Sequence, residues 1–353
     1  MNKLLALVAC FFLVGCSNSY AFTLNREDRA DIAKEERIYF KVGIAEEPYG
    51  EKTINSIGWS GVNQYGKRFP STQVQSAMPS KDTFKERERV VRELAVVHSD
   101  VILGFGAGYE EVFASLQHDY PHIKFALLGG EVKEREPNLV SVAFEDQQSA
   151  FLAGVAAALA TNTGKLAFLG GWEVEGVLRQ QLGFEAGIYY ANAHYGTAAQ
   201  LAVTSYAGTF SDYKQGRKLA QRIYGEGVDT MFACAGLVGA GALEVTEVLA
   251  EQGRTLWFIG TDADQSKRGE NVVLTSTLKR LDLVIYELLQ SYIQGYFPAG
   301  QHLVKGLSNG GVSLSEASEP VAALADLLRS GALVVPFDLE ELKAFVEVQK
   351  HPR

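Results

Sequence analysis

Residues 139–170 read LVSVAFEDQQSAFLAGVAAALATNTGKLAFLG, and their pattern indicates the class of fold. Residues 139–144 form an apolar run of strand length, and the small apolar residues that continue to Ala160 are typical of a helix. A second apolar run follows at 165–169, after Gly164. Strand, helix and strand in this order predict a βα unit with parallel strands.

The same alternation runs through most of the chain in two series. The first has predicted strands at 38–45, 72–76, 101–104 and 124–128, with helices at 54–65, at 84–98 and up to Tyr120. The second has predicted strands at 139–144, 165–169, 200–206, 230–234 and 255–260, with helices up to Ala160, at 179–193, at 213–224 and up to Gln252. Two series predict an α/β fold of two doubly wound lobes, with a ligand at glycine-rich turns where strands end.

The amino-terminal residues indicate how the chain is delivered. Lys3 precedes an apolar run at 4–14, which is too short to span a bilayer and has the length of a signal peptide. The following Gly15-Cys16 resembles the lipobox of bacterial lipoproteins, and an ordinary secretory signal is the alternative. We therefore predict a signal peptide at 1–15 and a lipidated tether at 16–36. Lipid on Cys16 would anchor the protein to the cell membrane or the outer membrane, facing the periplasm or the exterior.

Composition excludes several classes of protein. About 335 residues remain after the signal, more than one ordinary hydrophobic core holds. Of the other two cysteines, Cys10 would be removed with the signal peptide and Cys16 would carry the lipid. Cys234 is therefore expected to have no partner for an intrachain disulfide. A net charge of -9 opposes binding to nucleic acid. Past the signal, the apolar runs are shorter than a membrane helix requires.

Glycine-rich turns follow three predicted strands: Gly104 to Gly108, Gly170-Gly171 before Trp172, and Gly236 with Gly239 and Gly241. Tyr109 occupies the position of the third glycine in a dinucleotide loop, which argues against a nicotinamide cofactor, and we expect no cofactor. Backbone amides at such turns can bind a polar ligand; alternatively, the glycines only permit tight turns.

Catalytic and metal-binding patterns are incomplete. Ser211-Asp212-Tyr213-Lys214 matches S-x-x-K, but the companion motifs of penicillin-recognising enzymes are missing, so Ser211 or Asp212 is predicted to cap a helix. His118 and His122 are spaced for a metal site, but Pro121 interrupts that helix, and we expect no metal.

Asp262 and Asp264 follow the strand predicted at 255–260, where a carboxylate can accept hydrogen bonds from two neighbouring sugar hydroxyls. Their alternative role is in a turn.

A series of short motifs occurs in a distinctive order. They are F-L-A-G at 151–154, T-G-K at 163–165, G-F-E-A-G at 183–187, G-T-F-S-D at 208–212, I-G-T-D-A-D-Q at 259–265, L-T-S at 274–276, and S-N-G-G-V at 308–312. In this order they resemble the basic membrane protein family, lipoprotein substrate-binding components of ABC importers whose best-understood type is the purine nucleoside receptor. The similarity runs from about Tyr39 to Phe337.

The resemblance implies a type I periplasmic binding fold, in which two Rossmann-like lobes joined by a three-strand hinge close over a ligand. It assigns 37–141 and 279–304 to the N-terminal lobe, and 142–278 and 305–353 to the C-terminal lobe. It implies a non-enzymatic protein that delivers a nucleoside or other ribose-bearing solute to an ABC permease and ATPase, and we expect a monomer. Alternatives are a different small ligand, a ligand-sensing regulatory lipoprotein, and a nucleoside hydrolase, for which the sequence has no credible nucleophile or metal cluster.

The resemblance also implies roles for individual residues. An aspartate at the position of Asp262 holds ribose hydroxyls, a lysine at that of Lys279 reaches the same ligand, and Gly236 brings its backbone close. Lys279 would keep the Asp262 carboxylate ionised while donating to a ligand oxygen.

The end of the site that would hold the base departs from the family pattern. Glu51 replaces an aspartate, Ile54 a stacking phenylalanine, and Ala107 an aromatic residue, while Gln148 replaces an acidic residue. Tyr49, Tyr109 or Trp172 is expected to supply a flat face from a neighbouring position. We therefore predict that recognition of ribose is retained, and recognition of the base stays open.

Overall fold

The computed structural model describes residues 40–48 and 54–350. The predicted signal peptide, the lipidated Cys16 with its tether, Tyr49 and Glu51 lie outside these ranges. The strands of the described ranges are β1 (Phe40–Ala45), β2 (Thr72–Ala77), β3 (Val101–Phe105), β4 (Lys124–Leu128), β5 (Leu139–Phe144), β6 (Lys165–Gly170), β7 (Gln200–Tyr206), β8 (Thr230–Cys234), β9 (Trp257–Gly260), β10 (Val273–Lys279), β11 (His302–Lys305) and β12 (Val312–Leu314).

The α-helices of the same ranges lie between and after these strands. They are α1 (Ile54–Arg68), α2 (Phe84–Val96), α3 (Glu110–Leu116), α4 (Asp146–Ala160), α5 (Glu175–Tyr195), α6 (Tyr213–Gly225), α7 (Leu237–Glu251), α8 (Leu281–Ile293), α9 (Glu319–Arg329) and α10 (Leu339–Gln349). No helix in the described part of the chain is long and apolar enough to cross a membrane.

The first sheet has the strand order β11-β5-β4-β3-β1-β2, and all of its neighbouring strands are parallel. Successive residues point to opposite faces, as the strand period requires. Leu103 joins a core with α1 and α8, whereas its neighbour Ile102 joins a core with α2 and α3. Helices therefore cover both faces, which explains why β3 is apolar along its whole length and β4 is apolar after Lys124.

The second sheet has the order β12-β10-β9-β8-β6-β7. Its strands are parallel except for the short edge strand β12, which runs antiparallel to β10. Phe168 packs with α4 and α5, and Leu169 packs with α6 and α7. Asp212 caps α6 by accepting a 2.9 Å hydrogen bond from the Gln215 amide, as one of the two predicted caps. Two lobes with parallel sheets confirm the predicted α/β fold class.

The placement of β5 corrects the predicted grouping of strands. Residues 139–144 are a strand, but it pairs with β4 and β11 in the first sheet and does not open the second series. The Phe125 amide donates to the Asn138 carbonyl at 2.7 Å, which fixes the start of that pairing. An apolar run predicts a strand without specifying its neighbour, and α4 carries the chain from one sheet to the other.

The chain passes between the two sheets at three places: from β5 into α4, from β10 into α8, and from β11 towards β12. We call these segments, at 144–146, 279–281 and 305–307, the three crossings. The predicted residue limits of the two lobes stay a prediction.

Close helix packing supports the first crossing. A Cβ atom on Gly187 of α5 would lie 2.1 Å from the Phe151 carbonyl oxygen of α4, and one on Gly154 would lie 2.1 Å from the Phe184 carbonyl oxygen. Glycine at both positions lets the two helix backbones touch. This contact seats α4, and with it the first residues after β5, against the second sheet.

Candidate functional site

The carboxyl ends of β8, β9 and β10 bring three chemically distinct groups together. Cys234 ends β8, Lys279 ends β10, and Asp262 lies in the turn after β9. The Lys279 amide donates to the Asp262 carbonyl at 3.1 Å, so these two predicted ligand residues are neighbours in the structure. Both residues lie at the carboxyl ends of their strands, which is the edge at which open α/β sheets bind ligands.

Asp262 has an unusual backbone and an available carboxylate. Its φ of 69° lies in the left-handed region, which aspartate tolerates better than most residues. Within residues 40–48 and 54–350, no hydrogen bond or ion pair engages its carboxylate, although the side chain is only partly exposed. A carboxylate held in this way can accept hydrogen bonds from two donors on one ligand.

Lys279 forms its ion pair with Asp146, the first residue of α4. The distance from Lys279 Nζ to Asp146 Oδ2 is 2.8 Å, and the two side chains are 13% and 11% exposed. The same ammonium lies 5.4 Å from the centroid of the Phe144 ring. The sequence analysis associated Lys279 with Asp262 and did not single out Asp146. The feature that could have identified Asp146 is a carboxylate at the start of a helix, shortly after a strand.

The charges around Lys279 keep it protonated. Burial works against its charge, but the nearby carboxylates of Asp146 and Asp262 outweigh that effect and raise the pKa of Lys279 above its ordinary value. Burial, with Asp262 nearby, raises the pKa of the Cys234 thiol, which therefore stays neutral. Burial raises the pKa of Asp146, and the Lys279 ammonium opposes that effect. With both carboxyl groups ionised, the cluster of Asp146, Asp262 and Lys279 carries two negative charges and one positive charge.

Gly236 lies beside an aromatic side chain, Phe210. Gly236 has a φ of 57° and precedes α7; a Cβ atom there would lie 2.9 Å from the Phe210 carbonyl oxygen. On Gly171, at the end of β6, a Cβ atom would lie 2.2 Å from the Phe210 ring. Phe210 is therefore seated between two strand ends where only glycine leaves room for it. The sequence analysis included Phe210 in the G-T-F-S-D motif but assigned it no role. The feature that could have identified it is an aromatic residue in a turn close to glycines.

Trp172 lies at the same edge of the second sheet. Its side chain is 47% exposed, and its ring would lie 3.9 Å from a Cβ atom on Gly208, two residues before Phe210. The second sheet therefore presents two aromatic side chains, Trp172 and Phe210, on the turns that follow β6 and β7.

Ile54 is the predicted site residue that the structure places at a strand end of the first sheet. It begins α1, and its Cδ1 atom would lie 3.8 Å from a Cβ atom on Gly129, directly after β4. Gly106 and Gly129, which follow β3 and β4, have φ values of 84° and 94°. The first sheet therefore presents backbone, with little side chain, at these two turns.

Tyr109 does not take the predicted position. It is completely buried, its hydroxyl donates to the Glu46 carbonyl at 2.6 Å, and the Arg87 guanidinium lies 4.8 Å from its ring centroid. Because it packs between α2 and α3 in the core, it offers no exposed face for stacking with a ligand.

A buried ion pair that the sequence analysis did not single out holds the start of α1 at the first sheet. Arg87 Nη2 lies 2.6 Å from Glu47 Oε2, and Asn55 binds the Glu47 backbone by accepting from its amide and donating to its carbonyl, both at 2.9 Å. Glu47 follows β1 and Asn55 lies in α1, so these contacts fix the start of α1 against the first sheet.

The crossings are tied to one another next to the cluster. Gln148 donates from its side-chain amide to Glu145 Oε2 at 2.8 Å and accepts from the Leu307 amide at 2.8 Å. The Arg280 amide donates to the Gly311 carbonyl at 2.9 Å. Asp146 and Lys279 also lie in two different crossings, so the site is built on the segments that join the lobes.

Solved structures with similar folds include solute-binding proteins of ABC transporters and repressors such as the lac repressor. A solute-binding protein of an ABC transporter system from Aeropyrum pernix K1 superposes with a TM-score of 0.78 at 23% identity, over 88% of this chain and 97% of that chain. One from Conexibacter woesei superposes with a TM-score of 0.67 at 21% identity, over 84% and 98%. These likenesses show the type I periplasmic binding fold.

Sequence relatives point in the same direction. The ABC transporter nucleoside-binding protein BmpA of Lactococcus lactis is 28% identical over 94% of this chain and 97% of its own length. Basic membrane protein A1 of Borrelia garinii is 28% identical over 98% of this chain and its whole length. Residues 42–326 match the family described as ABC transporter substrate-binding protein PnrA-like. This chain therefore belongs to the PnrA-like, or basic membrane protein, family of ABC transporter substrate-binding proteins.

Proposed function

We propose that this protein is the lipid-anchored substrate-binding component of an ABC importer, and that it binds a nucleoside or another ribose-bearing solute between its lobes. The observation that carries the proposal is the available Asp262 carboxylate beside the charged Lys279. A carboxylate can accept from both hydroxyls of a cis-diol, and a neighbouring ammonium can donate to a ring or hydroxyl oxygen. Together these groups match the ribose half of a nucleoside.

The second sheet offers a surface for the other half of such a ligand. Phe210 lies between Gly171 and Gly236, and Trp172 is close by on the next turn. A flat aromatic base can stack on Trp172, whose side chain is 47% exposed. The net negative charge of the cluster favours a neutral ligand over an anionic one, so a nucleoside suits the site better than a nucleotide.

Family membership and the amino-terminal sequence support the proposed delivery and partners. A family member supplies a small molecule to a permease and its ATPase. Lipid on Cys16 would hold the protein at a membrane surface, outside the cytoplasm, without a membrane helix. Closure of the lobes would remove the ligand from water, which strengthens each hydrogen bond inside the site.

The proposal is tested by thermal unfolding of purified, ligand-free protein with a panel of nucleosides, free bases and ribose. A binding nucleoside at 100 times its dissociation constant should add about 2.7 kcal/mol, a shift of several degrees in Tm. Asp262→Asn should abolish most of that shift, because asparagine tolerates the same backbone but lacks the second acceptor.

Asp264→Asn is the matched control. Asp264 lies in the same turn, and its carboxylate accepts from the Ser266 amide at 2.9 Å, so its loss should leave the ligand shift unchanged. The ribose site would be refuted if neither ribose nor any nucleoside raised the Tm of the wild type. It would also be refuted if the Asp262→Asn variant bound the ligand as well as the wild type does. Recovery of the nucleoside intact after incubation distinguishes a binding protein from a hydrolase.

A further inference from the structure

We propose that Asp146 is a positioning residue for ligand binding: it holds the Lys279 ammonium in place at the point where Lys279 and Asp262 face the ligand. This inference rests on the proposed ligand site and deepens it, because it adds a residue that the sequence pattern did not single out. Asp146 acts through Lys279 and need not touch the ligand itself.

The geometry restricts Lys279 on three sides. Asp146 Oδ2 accepts from the ammonium at 2.8 Å, the Phe144 ring lies 5.4 Å away, and the Lys279 amide is bound to the Asp262 carbonyl. A lysine ammonium has three donors, so the bond to Asp146 leaves two for other acceptors. Because Asp146 occupies one donor direction, it sets where the other two point.

The charged and titratable groups around Lys279 come from three elements. Asp146 faces it from α4, Asp262 from the turn after β9, and Cys234 from the end of β8; Arg179 of α5 acts in turn on Asp146. Asp146 is the one of these in direct contact with the ammonium. Without its charge, burial would favour the neutral amine, and the pKa of Lys279 would fall.

The ion pair also links two crossings, since Asp146 lies in the first and Lys279 in the second. A ligand that accepts from Lys279 would therefore be connected through Asp146 to the start of α4. This places the ligand contact on the segments that move least when lobes rotate about them.

The test is the dissociation constant of the tightest nucleoside from the thermal panel, measured by calorimetry between pH 6 and pH 10. With a nucleoside whose base does not ionise in this range, such as adenosine or cytidine, the wild type should bind with little pH dependence, because Lys279 stays charged. Asp146→Asn should bind at least about tenfold more weakly at pH 7, and more weakly still as the pH rises and Lys279 loses its proton. Asp146→Glu should restore most of the affinity and the flat pH profile.

Lys279→Met separates positioning from a general structural role. That variant should bind weakly at every pH, and adding Asp146→Asn to it should cost little more, because the two residues act as a unit. Asp146→Asn affinity equal to the wild type at all pH values would overturn the proposal. So would a pH-independent loss that is equally large in the Lys279→Met background.

A second measurement does not depend on the ligand. The Lys279 side chain in ligand-free protein is titrated by carbon-13 NMR, with the resonance assigned from its absence in Lys279→Met. A fall in its midpoint by more than about one pH unit in Asp146→Asn supports the role of Asp146. An unchanged midpoint refutes it. If the Lys279 midpoint falls in Asp146→Asn but the wild type binds no nucleoside, the proposed ligand is refuted and the role of Asp146 is not.

Discussion

Glu185, in the middle of α5, is a carboxylate that burial disfavours. It is partly buried, and burial alone raises its pKa above the ordinary value. An acid whose folded pKa exceeds its unfolded pKa destabilises the protein at high pH and stops doing so as the pH falls through the folded pKa. The residue therefore costs stability at neutral pH.

Replacing Glu185 by glutamine should stabilise the protein at pH 7.5. We expect a gain of less than about 1 kcal/mol, because partial exposure screens the charge. The gain should shrink as the pH is lowered through the folded pKa, and urea unfolding of wild type and variant at pH 7.5 and pH 4.5 measures it. Glu270→Gln, in the exposed turn before β10, should change little, and an equal gain there would mean that net charge, not burial, is responsible.

At the scale of single residues, the sequence predicted some partners and not others. Asp262 and Lys279 were expected together, and the structure brings them together. Asp146 was missed because the contact joins residues far apart in the chain, in two crossings whose approach depends on the whole fold. Tyr109 was expected at the site because it is an aromatic residue close to Ala107, which replaces the family's aromatic residue, whereas Glu46 and Arg87 hold it in the core.

The contact between α4 and α5 permits a test at the scale of elements. Gly187→Ala would place a Cβ atom 2.1 Å from the Phe151 carbonyl oxygen and 3.0 Å from the Val155 amide nitrogen. Both atoms belong to a helix backbone that cannot move independently, so the helices must separate. We expect a loss of at least about 2 kcal/mol in the free energy of unfolding, measured with urea.

Gly176→Ala provides the control within the same helix. A Cβ atom on Gly176 would meet nothing within 4 Å, and alanine favours a helix over glycine, so this variant should gain up to about 1 kcal/mol. If both variants were equally stable, the α4 and α5 backbones could not be in close contact at Gly187 in solution.

Hydrophobic periodicity predicted most elements of the two series within a few residues, because strands and helices differ in the spacing of buried positions. It did not predict the sheet to which β5 belongs, since pairing with β4 depends on contacts outside the strand. The elements after residue 260, including β10, were not predicted one by one, and the family resemblance only assigned 279–304 and 305–353 to the two lobes. The short strands β11 and β12 carry too few residues for a clear alternation.

At the scale of the whole molecule, Gln148 explains one departure from the family pattern. Its amide donates to Glu145 and accepts from Leu307, and so joins the first crossing to the third. An acidic residue at position 148 could still accept from the Leu307 amide, but it would place a second carboxylate beside that of Glu145. A neutral donor is therefore the residue that suits this hinge.

Gln148→Glu should lower the free energy of unfolding by about 1–3 kcal/mol at pH 7.5, because a hydrogen bond becomes a repulsive contact. The loss should diminish at pH 5, where neighbouring carboxylates can share a proton. Urea unfolding at both pH values measures this, with Gln181→Glu as control: Gln181 accepts from the Tyr206 hydroxyl, and a carboxylate still accepts there. A Gln148→Glu variant as stable as the control at pH 7.5 would show that the tie contributes little to the hinge.

The three crossings have a consequence for the order in which the protein is made. β5 leaves the ribosome early, but its outer neighbour β11 follows only after the parallel strands of the second sheet have been synthesised. Until then β5 is an open edge whose unpaired amides and carbonyls invite pairing with other chains. β11, which covers that edge, is made after every strand of the second sheet except β12. A nascent chain therefore keeps the edge of β5 open, and depends on whatever shields it, until residues 302–305 have been made.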